Sequence, residues 1–188
     1  MKWPMWFRRQ QPVIKAGPAQ DAVVAPYDLL WATGQEWAPT VYGEYYAKSA
    51  SVYAAIKLRS SALLRPPLVV NTRQADGALV PVDEGDPYGA LLRKVNPFWT
   101  TADLLRATET NLGLWGCAYW TLTKPSPNSP PTEIWPVRPD QMRVLADKQK
   151  YIKGFEYGNQ QGQRIPLLPS EVIWFRYFNP MNEFAGMS

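Results

Sequence analysis

The side chains best suited to chemistry are three carboxylates in one loop. Asp83, Glu84 and Asp86 stand close together among Gly and Pro residues. Carboxylates in such a group can bind a hard cation or act as general acid and base. They also come directly before a predicted helix, whose positive end favours acidic neighbours. We therefore expect them to serve the helix terminus rather than a metal or catalytic site.

The chain has one cysteine, Cys117, and no histidine. This composition excludes a disulfide within the chain, a Cys/His zinc site, and Ser-His-Asp or Cys-His catalytic groups. Cys117 follows a glycine and precedes an aromatic strand, which predicts a small buried side chain rather than a reactive thiol. We predict no catalytic, cofactor-binding or metal-binding residue, no cofactor and no enzymatic activity.

Length and composition indicate one globular domain of 188 residues, 46% of them hydrophobic and 13% aromatic. The nine Trp and ten Tyr suit either a core or a contact surface. Residues 1–21 hold four basic groups and one acidic group, or +3 of the net +4. The remainder is therefore nearly neutral, which disfavours a protein that reads double-stranded DNA through a basic face. No apolar run is long enough for a membrane span, so no membrane partner is predicted.

The elements that position these residues are organised around one helix and the strand after it. Thr100 and Asp103 form a predicted capping box, and Gly116 is the predicted helix end. Residues spaced three or four apart lie on one face of this helix, and we predict that the inward face consists of Leu105, Thr108, Leu112 and Trp115. Strands are predicted at Cys117–Thr123, Glu133–Arg138 and Met142–Leu145.

Two helices and a hairpin are predicted before this unit. Ser49 caps a helix over Ala50–Leu64, with Val52, Ile56 and Leu63 on its inner face and Ala55 between them; Lys57 and Arg59 are expected on a solvated face. Residues 68–82 form a β-hairpin around Asp76-Gly77. A short helix runs over Pro87–Val95 and ends at Asn96-Pro97.

The last third has β character. Residues 150–157 and 164–168 are predicted to pair, and Val172–Phe178 is predicted to be a central strand because its apolar run is nearly unbroken. We expect most of Trp115, Trp120, Trp135 and Trp174 to be buried. The predicted fold class is α+β, with a mixed or antiparallel sheet and several packed helices.

Residues 1–40 form a predicted flexible N-terminal arm in which Pro residues recur without a sustained period. Tyr27–Trp31 suits at most one helical turn. Trp3, Trp6 and Phe7 beside Arg8 and Arg9 suit an interfacial anchor, or equally an arm that docks on a neighbouring subunit. The start lacks the apolar core of a secretory signal. The folded domain is expected at 41–188.

The order of segments over Tyr42–Ser188 resembles the portal proteins of tailed double-stranded-DNA bacteriophages. The resemblance runs through SASVYAAIKLRSSALLRPPLVV, a hairpin and a leucine-rich helix ending in NP. It continues through LGLWGCAY (residues 112–119), IWPVRPDQMRV and LPSEVIWFR, and ends at Gly186-Met187-Ser188. The loop at 124–131 is longer than the family pattern.

This resemblance implies a wing-like part of one subunit in a closed ring, typically a dodecamer, that ends before the channel and clip regions. It implies a head–tail connector at the capsid vertex, through which DNA is packaged and ejected and to which the tail attaches. Implied partners are further copies of the chain, major capsid and scaffold proteins, the terminase, a head–tail adaptor and double-stranded DNA passing through the ring. The implied location is the virion, with the host cytoplasm during assembly. The implied origin is a phage or prophage, with the chain either a fragment or a truncated gene product.

Two other function classes suit the residues. One is an aromatic-rich module that binds peptide or sugar through exposed Trp and Tyr side chains. The other is a small enzyme that uses Asp83, Glu84 and Asp86; the lack of histidine and of a glycine-rich phosphate loop disfavours it.

Overall fold

A computed structural model of the chain describes residues 39–187, apart from positions 127, 148 and 159–162. Its helices are α1 (Pro39–Lys48), α2 (Ala50–Leu63), α3 (Pro87–Arg93) and α4 (Thr101–Trp115). Its strands are β1 (Asn71–Arg73), β2 (Leu79–Pro81), β3 (Cys117–Thr123), β4 (Glu133–Val137), β5 (Met142–Asp147), β6 (Tyr151–Gly158), β7 (Arg164–Leu167) and β8 (Val172–Arg176). Short 3-10 turns precede β5 and β8. These elements confirm the predicted α+β class.

The predicted turn from helix α4 into strand β3 is confirmed in detail. At the start of α4, the Thr100 hydroxyl accepts a hydrogen bond from the Asp103 amide at 3.2 Å, and the Asp103 carboxylate accepts one from the Thr100 amide at 3.3 Å. At its end, Gly116 adopts φ 70°, a left-handed conformation that favours glycine. The backbone therefore leaves the helix and enters β3 through a single residue.

The strands pair antiparallel in three sheets, ordered β1-β2, β4-β3-β8 and β5-β6-β7. In the second sheet β3 is central and β8 lies at an edge. The prediction of a central strand at Val172–Phe178 is therefore wrong. The strand ends at Arg176, and both Ile173 and Phe178 are exposed. Its aromatic residues contact rings of β3 on both faces of the sheet, Phe175 with Trp120 and Trp174 with Tyr119.

One face of the β4-β3-β8 sheet is covered by helices α3 and α4. Leu91, Val95, Leu104 and Ile134 form its buried centre. The buried stripe of α4 consists of Leu104, Thr108, Asn111, Leu114 and Trp115. The predicted face was displaced by about one residue, since Leu105 and Leu112 are only half-buried. Apolar spacing missed Asn111, because a polar residue can still occupy the inward face.

The other face of this sheet meets the β5-β6-β7 sheet through an aromatic cluster. Tyr119 of β3 stacks on Trp174 of β8 with ring centroids 6.2 Å apart. Phe155 of β6 approaches both rings edge-on at 6.1 Å. Edge-to-face contacts between aromatic rings are favourable beyond the area that they bury. This cluster therefore joins the two sheets directly.

Helix α2 packs against α4 through Ile56. A Cβ on Gly113 would lie 2.4 Å from Ile56 Cδ1, so a larger residue there would require the Ile56 side chain to shift. The Ser49 cap is confirmed, whereas Ala55 and Leu63 are exposed rather than inward. The buried positions of α2 are Ile56 and Ser60. Helix α2 therefore buries a narrower stripe of its surface against the rest of the domain than its apolar residues suggest.

Arg59 of α2 is not simply solvated, which corrects the sequence-based expectation. Its guanidinium lies 2.7 Å from the Glu109 carboxylate on α4 and donates to the Tyr177 hydroxyl at 2.6 Å. Burial acts to lower the pKa of Arg59, but the Glu109 carboxylate and the Tyr177 hydroxyl together raise it above its ordinary value. The side chain thus links α2, α4 and the segment after β8. Sequence spacing gave no signal for it, because its partners are 50 and 118 positions away.

Helix α1 was not predicted, and it begins at Pro39, inside the predicted arm of residues 1–40. The expectations for residues 1–38, including Tyr27–Trp31, lie outside the described residues. The predicted hairpin at 68–82 is confirmed with shorter strands, and so is the pairing of β6 with β7. The predicted short helix at 87–95 is confirmed as α3.

The segment after β8 crosses directly over the end of helix α4. Tyr177 donates its amide to the Gly116 carbonyl at 2.8 Å. A Cβ on Gly186 would lie 1.9 Å from that same oxygen, and a Cβ on Gly116 would lie 2.5 Å from the Met187 backbone. Two glycines are therefore required where the two stretches of backbone cross.

This crossing predicts that Gly186→Ala is destabilising. The new methyl group has backbone rather than a flexible side chain in its way, so we expect the free energy of unfolding to fall by about 1–3 kcal/mol. Urea denaturation measures it. Gly85→Ala is the matched control, because no atom lies within 4 Å of its Cβ position. Equal effects from the two substitutions would contradict the crossing.

Candidate functional site

The acidic loop serves the start of helix α3, as the sequence predicted. The Asp86 Oδ1 atom accepts hydrogen bonds from the amides of Tyr88 at 2.9 Å and Gly89 at 2.8 Å. Asp83 and Glu84 are exposed, and the Glu84 carbonyl accepts from the Arg93 guanidinium at 2.5 Å. Within the described ranges, no three His, Cys, Asp or Glu side chains are grouped to hold a metal. The loop thus caps the helix through Asp86, and the carboxylates of Asp83 and Glu84 lie at the surface.

Cys117 is fully buried at the start of β3, which confirms the predicted small buried side chain. Burial raises the pKa of its thiol from 9.0 to about 11. Burial also raises the pKa of Tyr119, which lies on the same face of the strand. At neutral pH both groups are therefore uncharged, and the thiol lacks the thiolate form that a nucleophile needs.

We expect Cys117 to resist alkylation by iodoacetamide at pH 8 in the folded protein and to react quickly once urea unfolds the chain. Mass spectrometry of the modified fraction measures this. Rapid modification under native conditions would contradict the burial of the thiol.

The same pKa shift predicts a loss of stability at high pH. The folded pKa of about 11 lies above the ordinary 9.0, so the unfolded thiol ionises first. The contribution of the buried neutral thiol to the free energy of unfolding is fully present below pH 9 and is lost as the pH rises toward 11. Cys117→Ala should remove this part of the decline and leave the part due to Tyr119, as followed by denaturation at several pH values.

The four tryptophans singled out from the sequence have different surroundings. Trp115 is buried at 6% exposure, and Trp120, Trp135 and Trp174 are half-buried, so the prediction that most are buried is confirmed only for Trp115. Trp120 donates from Nε1 to the Thr108 hydroxyl at 2.7 Å. Trp135 donates to the Glu133 carboxylate at 2.9 Å and lies near the Phe98 ring. These partners belong to the same domain, which favours a packing role over a peptide or sugar site.

One structural residue was missed from the sequence. The buried Asn96 donates from Nδ2 to the Ile134 carbonyl at 2.8 Å, and its Oδ1 accepts from the amides of Phe98 and Trp99. It therefore fixes the turn before α4 and attaches it to the edge of β4. The Asn-Pro pair after a helix indicated a helix stop, but the partner at residue 134 has no local signal.

A group of exposed apolar side chains lies on the β1–β2 hairpin and the residues before it. We call Leu68, Val69, Leu79 and Val80 the hairpin surface; all four are exposed, Leu79 at 60% and Val80 at 40%. Every residue of both strands is exposed. Exposed apolar side chains grouped in this way suit an interaction surface rather than a chemical site.

A comparison with protein families shows to which family the chain is related. The model described as phage portal protein matches residues 50–188. The chain belongs to the phage portal protein family. This match confirms the resemblance drawn from the order of the sequence segments.

Solved structures support the fold of this portal-family chain. It is similar to chains in "Virion of native gene transfer agent (GTA) particle", with 20% identity and a TM-score of 0.64, covering 85% of this chain and 42% of that one. Similar chains occur in the "Neck of empty GTA particle computed with C6 symmetry" (22%, 0.65, covering 80% and 40%) and the "Neck of native GTA particle computed with C12 symmetry" (20%, 0.65, covering 89% and 44%). The chain thus spans about two fifths of their length.

A comparison with curated proteins gave no match to this portal-family chain. Among the helices of the described part, none combines the length and apolar character that crossing a bilayer requires.

Proposed function

We propose that this portal-family chain is a structural subunit of a closed ring at a capsid vertex. The observation that carries the proposal is the family match over residues 50–188. The similarity to chains of virion and neck particles, two of them computed with C6 and C12 symmetry, supports a homo-oligomeric ring in the virion. The ring would let DNA be packaged and ejected and would hold the tail.

The role is mechanical and involves no catalysis. Two sheets joined by the cluster of Tyr119, Phe155 and Trp174, with helices on the other face, form a close-packed block. Close-packed interiors deform little and transmit strain. A subunit of this kind suits a ring that bears load. Its partners would be further copies, capsid and scaffold proteins, terminase, a head–tail adaptor and the DNA in the channel, first in the host cytoplasm and then in the virion.

The test is self-association of the full chain. We expect sedimentation velocity between about 1 and 100 µM, a range typical of specific association, to show oligomers that grow with concentration. Averaged electron micrographs should show closed rings. A monomer throughout this range would contradict the proposal.

We also propose that residues 1–40 contact a neighbouring subunit and that residues from 41 onward form the wing domain. The supporting observation is the aromatic character of the segment and the net charge of +3 on its first 21 residues. Deleting residues 1–38 should weaken self-association without changing the melting temperature, because the described core lies outside the deletion. Unchanged association would count against a contact made by this arm.

A further inference from the structure

We propose that the hairpin surface of one copy of this chain docks on the cationic tip of the β5–β6 hairpin of the next copy. The inference rests on the ring proposed above and names the two surfaces that build it. A closed ring of one subunit type needs two different, complementary surfaces on each subunit, because the contact is heterologous. The chain carries such a pair.

The first surface is apolar and well ordered. A two-stranded hairpin exposed on both faces is marginal in water, so it gains from being covered. Its turn is nevertheless fixed, because Gly77 takes φ 87° and the Ala78 amide donates to the Asp76 carboxylate at 2.9 Å. At its base, the Val82 amide donates to the Val70 carbonyl at 3.1 Å. The exposed Leu79 and Val80, which project from opposite faces of the hairpin, are thus held in place.

The charge around this hairpin is negative. Residues 71–86 contain one basic group, Arg73, against four acidic groups, which gives a net charge of −3. The acidic groups are Asp76, Asp83, Glu84 and Asp86. Asp86 caps helix α3, whereas the exposed Asp83 and Glu84 remain available to a partner of opposite sign.

The second surface is positive. At the tip of the β5–β6 hairpin, the described charged residues are Lys150, Lys153 and Asp147, a net charge of +1. Lys150 and Lys153 are exposed. The tip is held by Asp147, whose Oδ1 accepts from the amides of Gln149 and Lys150 at 2.8 Å each.

The opposite charges of these two surfaces identify the occupant as a second copy. Every copy of the chain carries both surfaces. Complementary charges favour the correct docking mode, and like charges oppose the incorrect modes. Hairpin against hairpin would bring two acidic surfaces together, and tip against tip two basic ones. Hairpin against tip satisfies the charges and, in one heterologous contact, covers the apolar residues of the hairpin face that meets the tip.

The test reverses each surface in the full chain. One variant carries Asp83→Lys with Glu84→Lys, and the other carries Lys150→Glu with Lys153→Glu. We expect each to weaken self-association by about tenfold or more, and the chain with all four changes to return to within about threefold of the wild type, since both sides of the contact are then reversed. Sedimentation equilibrium measures the constants, and unchanged melting temperatures show intact folding.

Two further samples sharpen the result. An equimolar mixture of the two variants should associate, because each reversed surface then meets its opposite on the other chain. The control, Lys57→Glu with Lys94→Glu, carries the same change in charge as the tip reversal, on exposed residues elsewhere, and should leave the constant unchanged. Leu79→Ser with Val80→Ser should weaken association through the apolar part of the contact.

The outcomes separate this inference from the proposed function. A wild-type chain that forms rings while the reversals have no effect overturns the docking mode alone. An effect of the hairpin reversal without one of the tip reversal overturns it too, in favour of a different partner surface. A wild-type chain that stays monomeric overturns both the ring and the contact.

Discussion

The left-handed turn at Gly116 is the constraint on which the rest of the structure depends. It ends helix α4 and starts the central strand β3 within one residue, so it fixes the angle between the helix layer and the sheet. The same residue receives the segment after β8, whose Gly186 passes so closely that neither position accommodates a Cβ. The local turn and the packing of a distant segment therefore both require glycine at position 116. This agreement leaves the junction few alternative conformations.

The position of this junction determines which elements the aromatic residues of β3 and β8 contact. Side chains alternate across a strand, so Trp120 points toward Thr108 on helix α4 while Tyr119 points toward Phe155 on the second sheet. The high aromatic content thus covers both faces of one small sheet. Large rings that pack edge to face fill this space with few conformations, and the result is a block rather than a pair of loosely joined layers.

Local rules predicted most of the elements but not their closest contacts. The caps at Ser49 and Thr100 and the stop at Gly116 follow from interactions within a few residues, so the sequence indicates them directly. The contacts of Arg59, Asn96 and Gly113 depend on which elements meet in space, and no spacing encodes that. The edge position of β8 was missed for a related reason, because an apolar run reports covered faces and not the number of neighbouring strands.

Stiffness sets a requirement on any ring built from this block. Where subunits do not deform, an error in the angle of one contact is passed on around the ring and prevents closure. The contact itself must therefore have a defined orientation, which a purely apolar patch does not supply. In the proposed docking mode, opposite charges beside apolar residues supply it, and the hydrogen-bonded turns at Asp76 and Asp147 hold both surfaces in position. An exposed hairpin that adds little to its own domain then has a physical reason to be well ordered before it meets its neighbour, since order present beforehand need not be gained on binding.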